Sequence, residues 1–293
     1  MIYVDGGSPP YVARHLQAKA AAGQLRLIRR DEYLSPAQAR NLGAAQARGR
    51  YLVFLDNDAL VAPGWLDALV TRAESSGAWA VCPTYLIGEP EEGIVHSIGT
   101  QMRLTGPAGA RVYEKTRAHV TARLPDLAAD LVAAPTTYIE FHCLMVTAAA
   151  FEALDGFDEG FGAMFDHDDV ALRIADLGGT IWYEPAAVVS YLTVARRPDD
   201  IGRIGSPWRV SDLPFFIQAW GERPNERSRE HFARKHGIAE ANLPGVAGVA
   251  VFRQALMTPV RATVRRHLGS RVDNGVAHVL YRAERIVNRM LVR

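Results

Sequence analysis

The sequence is poor in cysteine and has no long apolar run, and both shortages narrow the class of protein. Only Cys82 and Cys143 occur in 293 residues, and they form no disulfide or metal-binding pattern. No stretch approaches the roughly 18 consecutive apolar residues of a membrane span. The first residues also lack the charged-then-apolar pattern of a signal peptide. The sequence therefore predicts a soluble cytoplasmic protein.

The chain as a whole has no large excess of either sign of charge, but positive charge predominates at its C-terminal end. The formal net charge is +1, which excludes an overall polyanion binder. The last 49 residues, however, carry nine arginines against Asp273 and Glu284, with apolar residues at helical spacing beside them. One interpretation is peripheral contact with the inner face of a membrane through basic helices. The other is a helical cap whose arginines are solvated or dock on acids of the main domain.

The sequence lacks the motifs of three classes of protein that bind nucleotides or nucleic acids. No Gly-x-Gly-x-x-Gly occurs, and none of the three lysines follows a glycine, which disfavours dinucleotide and P-loop enzymes. The basic tail offers only Phe252 and Tyr281 as stacking rings, so no nucleic-acid partner is expected. The pair His167-Asp168 would suit a metal phosphohydrolase, but that chemistry needs further histidines at helical spacing.

Strand and helix signals alternate through the first two thirds of the chain, which predicts an α/β fold with a doubly wound, mostly parallel sheet. The predicted strands are residues 2–4, 25–28, 51–55, 78–81, 138–146 and 180–183. The predicted helices are residues 11–22, 35–48, a segment from Pro63, 148–154 and 166–178. Residues 85–135 are too irregular to assign. We expect one domain at 1–195 and a helical, arginine-rich region at 196–293.

The most informative segment is Asp56-Asn57-Asp58, directly behind the apolar strand 51–55. Ligands of open α/β sheets bind at the carboxyl ends of the strands. Two carboxylates one residue apart at such an edge form a hard oxygen site of the kind that Mg²⁺ or Mn²⁺ prefers. The segment therefore predicts a divalent metal site that could hold a diphosphate.

Together with this segment, an ordered set of motifs resembles family 2 glycosyltransferases over roughly residues 2–192. The resemblance implies a GT-A fold and the transfer of a sugar from a nucleotide-diphosphate donor to an acceptor hydroxyl, usually with inversion and with Mn²⁺ or Mg²⁺. The matching segments are residues 4–8, 39–43, 49–58, 63–66, 156–159, 166–169 with Arg173, 178–179 and 184–185.

The resemblance implies roles for the residues at the strand ends. Asp58 would ligate the metal with Asp56 in support, and Asn57 would lie near the donor ribose. Asp5 would accept a hydrogen bond from the donor base, and Arg40 would approach the base or the diphosphate. The residues alone also allow plainer interpretations, in which Asp5 is ordinary turn chemistry before two glycines and Arg40 is a solvated helix residue.

The segment 166–169 supplies candidates for the general base that an inverting displacement requires. In most relatives this motif reads Glu-Asp-x-Asp and the base is its second residue, a position that His167 occupies here. Asp166, His167 and Asp168 therefore remain alternatives. Helix-start preference explains one acid at this place, but it does not explain three acids with a histidine.

A second departure concerns the metal. Many relatives carry an additional histidine ligand beyond the proline of the last core strand, but residues 185–191 contain none. His142 is the nearest spare imidazole in the core, and it either reaches the metal or serves as an ordinary core residue. The expected partners are a nucleotide-diphospho-sugar and a glycan or lipid-linked acceptor of cell-envelope polysaccharide synthesis. A non-catalytic relative that binds nucleotide sugars or glycans is the alternative.

The resemblance also begins late: the strand of Asp5 would be the second of the family's sheet, and the first strand with its helix would precede Met1. That strand lies centrally, so a chain without it should have an interrupted ladder of backbone hydrogen bonds and a defective donor pocket.

We predict that adding upstream coding sequence raises both stability and turnover, because a central strand would restore that ladder. Thermal melting of this chain and of an upstream-extended chain is the measurement. An extended chain that melts no higher would contradict the prediction.

Overall fold

A computed structural model describes residues 1–118, 122–162, 164–192 and 222–243, together with 267, 268 and 279. Most of the basic C-terminal segment, and the predicted domain boundary at 195/196, lie outside these residues. The helices and strands are, in chain order, β1 (Ile2–Gly6), α1 (Pro10–Ala21), β2 (Arg26–Arg30), α2 (Pro36–Ala44), β3 (Tyr51–Leu55), β4 (Ala59–Val61), α3 (Trp65–Ser76), β5 (Ala80–Ile87), β6 (Val95–Thr105), β7 (Val112–Ala118), β8 (Ala134–Thr136), β9 (Cys143–Thr147), α4 (Ala148–Ala153), α5 (Asp166–Asp176), β10 (Ile181–Tyr191) and α6 (Glu222–His236).

Local sequence signals account for where several of these elements begin. Helix α2 starts in a capping box: Gln38 N donates to Ser35 Oγ, and Ser35 N donates to Gln38 Oε1. Strand β3 coincides with the predicted apolar run. None of the helices among the described residues combines the length and the apolar character needed to cross a bilayer.

The α/β class is confirmed, but the larger sheet is mixed and not mostly parallel as predicted, since β5–β10 is its one parallel pair among the described strands. Its strands follow the order β3-β9-β5-β10-β4, with β6, β7 and β8 attached at the side. Strand β9 pairs antiparallel with both β3 and β5, so β3 and β5 point the same way, and β10 is parallel to β5. The connection from β3 to β5 contains helix α3, whereas β6 to β9 are joined without a described α-helix. Neighbouring strands can run parallel only when a crossover of this kind joins them. Strands β6 to β9 are joined without one, so they pair antiparallel.

Strand β9 is shorter at its start than the sequence predicts, because residues 138–142 leave the ladder. The hydroxyl of Tyr85 takes the place of a strand partner there: it donates to the Glu140 carbonyl at 3.0 Å and accepts from Glu140 N at 3.2 Å. The side chain of Glu140 is buried as a result. This irregular segment is the one that carries His142.

Strands β1 and β2 form a separate parallel pair. Within the described part of the chain, β1 pairs with β2 alone and β3 pairs with β9 alone, so each keeps one edge without a strand partner. The two strands are still linked, because the Tyr3 side chain is hydrogen-bonded to Asn57, just beyond β3.

Helix α6 belongs to the main hydrophobic core rather than to a separate layer. Phe232 is fully buried, stacks on Phe165 with ring centroids 5.0 Å apart, and meets the Tyr113 ring edge-on. The helix is also held by charge, since His236 Nε2 and Lys235 Nζ each lie 2.8 Å from the buried Asp169 carboxylate. The helix therefore packs behind the acidic start of α5.

We predict that Phe232→Ala lowers the free energy of unfolding by about 3–5 kcal/mol, the usual cost of truncating a buried phenylalanine. Arg234→Ala is the matched control on the same helix, because the Arg234 side chain is mostly exposed, and its change should stay within about 0.5 kcal/mol. Urea unfolding measures both. Equal small losses would show that α6 does not share the core.

Candidate active site

The register of β3 against β9 creates the site. Leu55, the last residue of β3, lies opposite Cys143, the first residue of β9, and Asp56 N donates to the His142 carbonyl at 3.2 Å. The residues that follow β3 therefore meet the residues that precede β9. One ligand atom each from Asp56, Asp58 and His142 lie within 4.8 Å of one another.

This cluster has the chemistry of a divalent cation site. His142 Nδ1 is buried without a well-aligned hydrogen bond, although it lies 3.4 Å from Asp56 Oδ2. Partial desolvation and the neighbouring charge of Asp56 raise the pKa of Asp58, which has no ion pair among the described residues. Two carboxylates and an unpartnered imidazole nitrogen are donors that Mn²⁺ and Mg²⁺ accept, so the residues fit such an ion.

Arg40 joins this cluster to a second one. Its guanidinium lies 3.0 Å from Asp56 Oδ1 and 3.0 Å from Asp166 Oδ2, and it sits over the Phe141 ring at 3.8 Å from the centroid. The side chain is only 12% exposed, so this is a partly desolvated bridge rather than the solvated helix residue of the plainer interpretation. The two acidic groups predicted from sequence are thus one continuous site.

The second cluster lies at the first turn of α5. His167 is held between two carboxylates, with Nδ1 3.2 Å from Asp166 Oδ1 and Nε2 3.5 Å from Asp168 Oδ1. Burial alone would lower the pKa of His167, but the charges of Asp168, Glu140 and Asp166 raise it above its ordinary value. Burial would raise the pKa of Asp166, yet the hydrogen bond from His167 and the Arg40 charge lower it.

Asp5 is not part of either cluster. Its buried carboxylate accepts from Ser8 N at 3.0 Å and forms an ion pair with Arg29, so its acceptor capacity is used inside the β1–β2 pair. Asn57 is exposed beside Asp56 and Asp58 and bonds the Tyr3 side chain. Among the predicted donor-binding residues, the structure therefore brings Asp56, Asn57 and Arg40 to one place.

Four residues of the site escaped the sequence analysis. Lys115 from β7 lies 3.2 Å from Asp168 Oδ1 and 3.4 Å from His167 Nε2. Glu140, His96 and Tyr191 form a hydrogen-bonded line beside His142. Glu140 carried a usable signal, since a charged residue two positions before His142 in an otherwise apolar stretch is unusual for a buried strand. Lys115, His96 and Tyr191 carried none.

Comparisons with known proteins find one family model and several relatives that this chain is similar to. Residues 1–123 match the family model described as glycosyl transferase family 2. The O-antigen biosynthesis protein RfbC of Myxococcus xanthus is 30% identical over 172 residues, 55% of this chain and 12% of that protein. Polypeptide N-acetylgalactosaminyltransferase 12 of Mus musculus is 27% identical over 192 residues, 60% of this chain and 30% of that protein. The chain thus spans less than a third of either relative.

A solved structure of GalNAc-T7 with UDP, GalNAc and Mn²⁺ is 15% identical at a TM-score of 0.49, covering 91% of this chain and 51% of that one. That score is too low to carry an argument about this chain. The family match rests instead on the first 123 residues, which contain β1 to β7 and the Asp56-Asn57-Asp58 segment. Residues 1–123, which are less than half of the chain, thus resemble glycosyl transferase family 2.

Proposed function

We propose that the protein moves a sugar from a nucleotide-diphosphate donor to an acceptor hydroxyl, with inversion and with Mn²⁺ or Mg²⁺. The observation that carries this proposal is the convergence of Asp56, Asp58 and His142 at the end of β3, in a chain whose first 123 residues match the family model. His142 Nδ1 is buried there without a well-aligned hydrogen bond. A divalent ion bound there would neutralise the charge that develops on a diphosphate leaving group. The mixed sheet agrees with the GT-A fold that the resemblance implies.

Arg40 orients the carboxylate of Asp56 for this task. It binds Oδ1 of Asp56 and leaves Oδ2 facing His142 Nδ1. The Arg40 guanidinium also contacts both clusters, so it would place positive charge between the diphosphate leaving group and the residue that accepts the proton. Such fixed charge is most effective in a partly dry site.

Among the three alternatives for the general base, the geometry favours Asp166. Both ring nitrogens of His167 face neighbouring side chains, Nδ1 facing Asp166 and Nε2 facing Lys115 and Asp168, so neither is free to meet an acceptor hydroxyl. Both acids are ion-paired, but Asp168 is only 2% exposed, whereas Asp166 is 7% exposed. Asp166 is ionised at neutral pH because its pKa is lowered, and Arg40 links it directly to the metal-site carboxylate.

The proposed step is a single displacement. The acceptor oxygen forms a bond to the anomeric carbon, its proton passes to Asp166, and the bond from that carbon to the diphosphate oxygen breaks. His167 N and Nδ1 both lie on Asp166 Oδ1, at 2.9 and 3.2 Å, which holds the carboxylate in place. One base on one face of the sugar suffices for inversion.

The partners follow from this chemistry. We expect a nucleotide-diphospho-sugar donor and a glycan or lipid-linked acceptor, in glycan or cell-envelope polysaccharide synthesis. We expect the protein to act in the cytoplasm, where the basic C-terminal segment could contact the inner face of the membrane. That segment lies almost wholly beyond the residues that the structure describes.

A non-catalytic relative is the second candidate, because the Asp5 carboxylate is already committed to Arg29 and Ser8. Thermal melting with a panel of nucleotide-diphosphate sugars, with and without Mn²⁺ or Mg²⁺, tests binding. A ligand at about 100 times its Kd adds roughly 2.7 kcal/mol of stability. A metal-dependent shift with sugar transfer supports the enzyme, a shift without turnover supports the relative, and no shift contradicts both.

We predict that Asp58→Asn abolishes Mn²⁺-dependent donor binding without unfolding the chain, because it removes a ligand charge that has no other described partner. Asp67→Asn, an exposed acid on α3, is the control and should bind normally. Calorimetric titration of donor in the presence of Mn²⁺ is the measurement. Metal-dependent binding retained in Asp58→Asn would refute the assignment of the site.

We predict that Asp166→Asn lowers kcat by about 10²- to 10⁴-fold, the usual contribution of a general base, with donor affinity unchanged. His167→Gln should retain far more activity, since His167 only holds Asp166. Steady-state kinetics with matched donor titrations separates the two. If His167→Gln is the inactive variant and Asp166→Asn is active, the base is His167.

A further inference from the structure

The ring of His142 is fixed from behind by an aromatic neighbour. Tyr191, the last residue of β10, stacks on it with ring centroids 3.8 Å apart and planes inclined by only 9°. A face-to-face partner fixes the plane of an imidazole and therefore the direction of its lone pair. That direction is toward the carboxylate of Asp56, 3.4 Å from Nδ1.

Tyr191 is in turn held by a directional line of hydrogen bonds. His96 lies between two partners: its Nδ1 is 3.1 Å from the Tyr191 hydroxyl, and its Nε2 is 3.2 Å from Glu140 Oε1. A carboxylate only accepts, so Nε2 carries a proton, and in neutral His96 the Nδ1 lone pair then accepts from the Tyr191 hydroxyl. The His96 ring also meets both the Tyr191 and the His142 rings edge-on.

The far end of this line is rigid. Glu140 is buried, its Oε1 also accepts from the Tyr138 hydroxyl, and its backbone is bonded on both sides to the Tyr85 hydroxyl. The hydrogen bonds from Glu140 through His96 to Tyr191 thus join two neighbours of His142. Glu140 precedes His142 by two residues in the sequence, and the Tyr191 ring stacks on the His142 ring.

We propose that Tyr191 and His96 are positioning residues of the metal centre. The stacked ring and the hydrogen bonds behind it hold His142 so that Nδ1 faces Asp56 and Asp58. Strand β10 ends with Tyr191 and not with a histidine. The imidazole of the site is that of His142, directly before β9. This inference rests on the proposed metal site. Groups that orient metal ligands commonly change metal affinity by 10- to 100-fold when they are removed.

The test is Mn²⁺ binding, followed by electron paramagnetic resonance, with the nitrogen modulation of the bound Mn²⁺ signal as the second readout. The variants are Tyr191→Leu, Tyr191→Phe, His96→Gln and His142→Phe. Tyr183→Phe is the matched control, since it removes a hydroxyl from the same strand, where Tyr183 bonds Thr84 instead. Thermal melting of each variant establishes that it is folded.

We expect the natural chain to show nitrogen modulation, His142→Phe to lose it, and Tyr191→Leu and His96→Gln to bind Mn²⁺ at least about tenfold more weakly. Tyr191→Phe keeps the ring and should lose less, and Tyr183→Phe should bind normally. If His142→Phe loses the modulation but the Tyr191 and His96 variants bind like the natural chain, the positioning role is refuted and the metal site stands. If the natural chain binds no Mn²⁺, or binds it without nitrogen, the proposed site fails and this inference fails with it.

Discussion

The site depends on the double ion pair of Arg40. Asp56 and Asp166 come from different elements, and two carboxylates brought together in a partly dry place repel each other unless a cation lies between them. Arg40 meets both at 3.0 Å and rests on the Phe141 ring. Its planar guanidinium can bind two carboxylates at once, which a lysine ammonium does with less directional control. Arg40 therefore fixes the separation between the Asp56–Asp58–His142 cluster and the first turn of α5.

The same need for charge balance shapes the rest of α5. Three of its first four residues are buried acids, and each is paired: Asp166 with Arg40, Asp168 with Lys115, and Asp169 with Lys235 and His236. Buried charges are tolerated only with such partners. The pairing also explains why α6 packs where it does, since its last turn supplies Lys235 and His236 as partners of Asp169 while Phe232 enters the core. Structural and chemical roles thus divide among neighbouring acids of one helix turn.

At the cluster of Asp56, Asp58 and His142, the side-chain charges are not fully paired. Asp58 has no ion pair in the described part of the chain, its pKa is raised, and His142 Nδ1 is buried without a well-aligned partner. Arg40 holds the Asp56 carboxylate by a hydrogen bond, and the Tyr191 ring stacks on the His142 ring. The Asp56–Asp58–His142 cluster therefore consists of carboxylate and imidazole ligand atoms, two of whose side chains are held in place by their neighbours.

The sequence by itself determined the local features: strand β3 with its two following carboxylates, the capping box of α2, and the acidic first turn of α5. Each of these depends on neighbours within a few residues, and so each leaves a pattern that can be recognised. Tertiary structure alone decided that Arg40 bridges the two acidic groups, that Asp5 is committed to Arg29, and that Tyr191 covers His142. Those contacts join residues 16 to 126 positions apart. They depend on the pairing of β1 with β2, on the register of β3 on β9 and on the break in the ladder at Glu140, which no local pattern encodes.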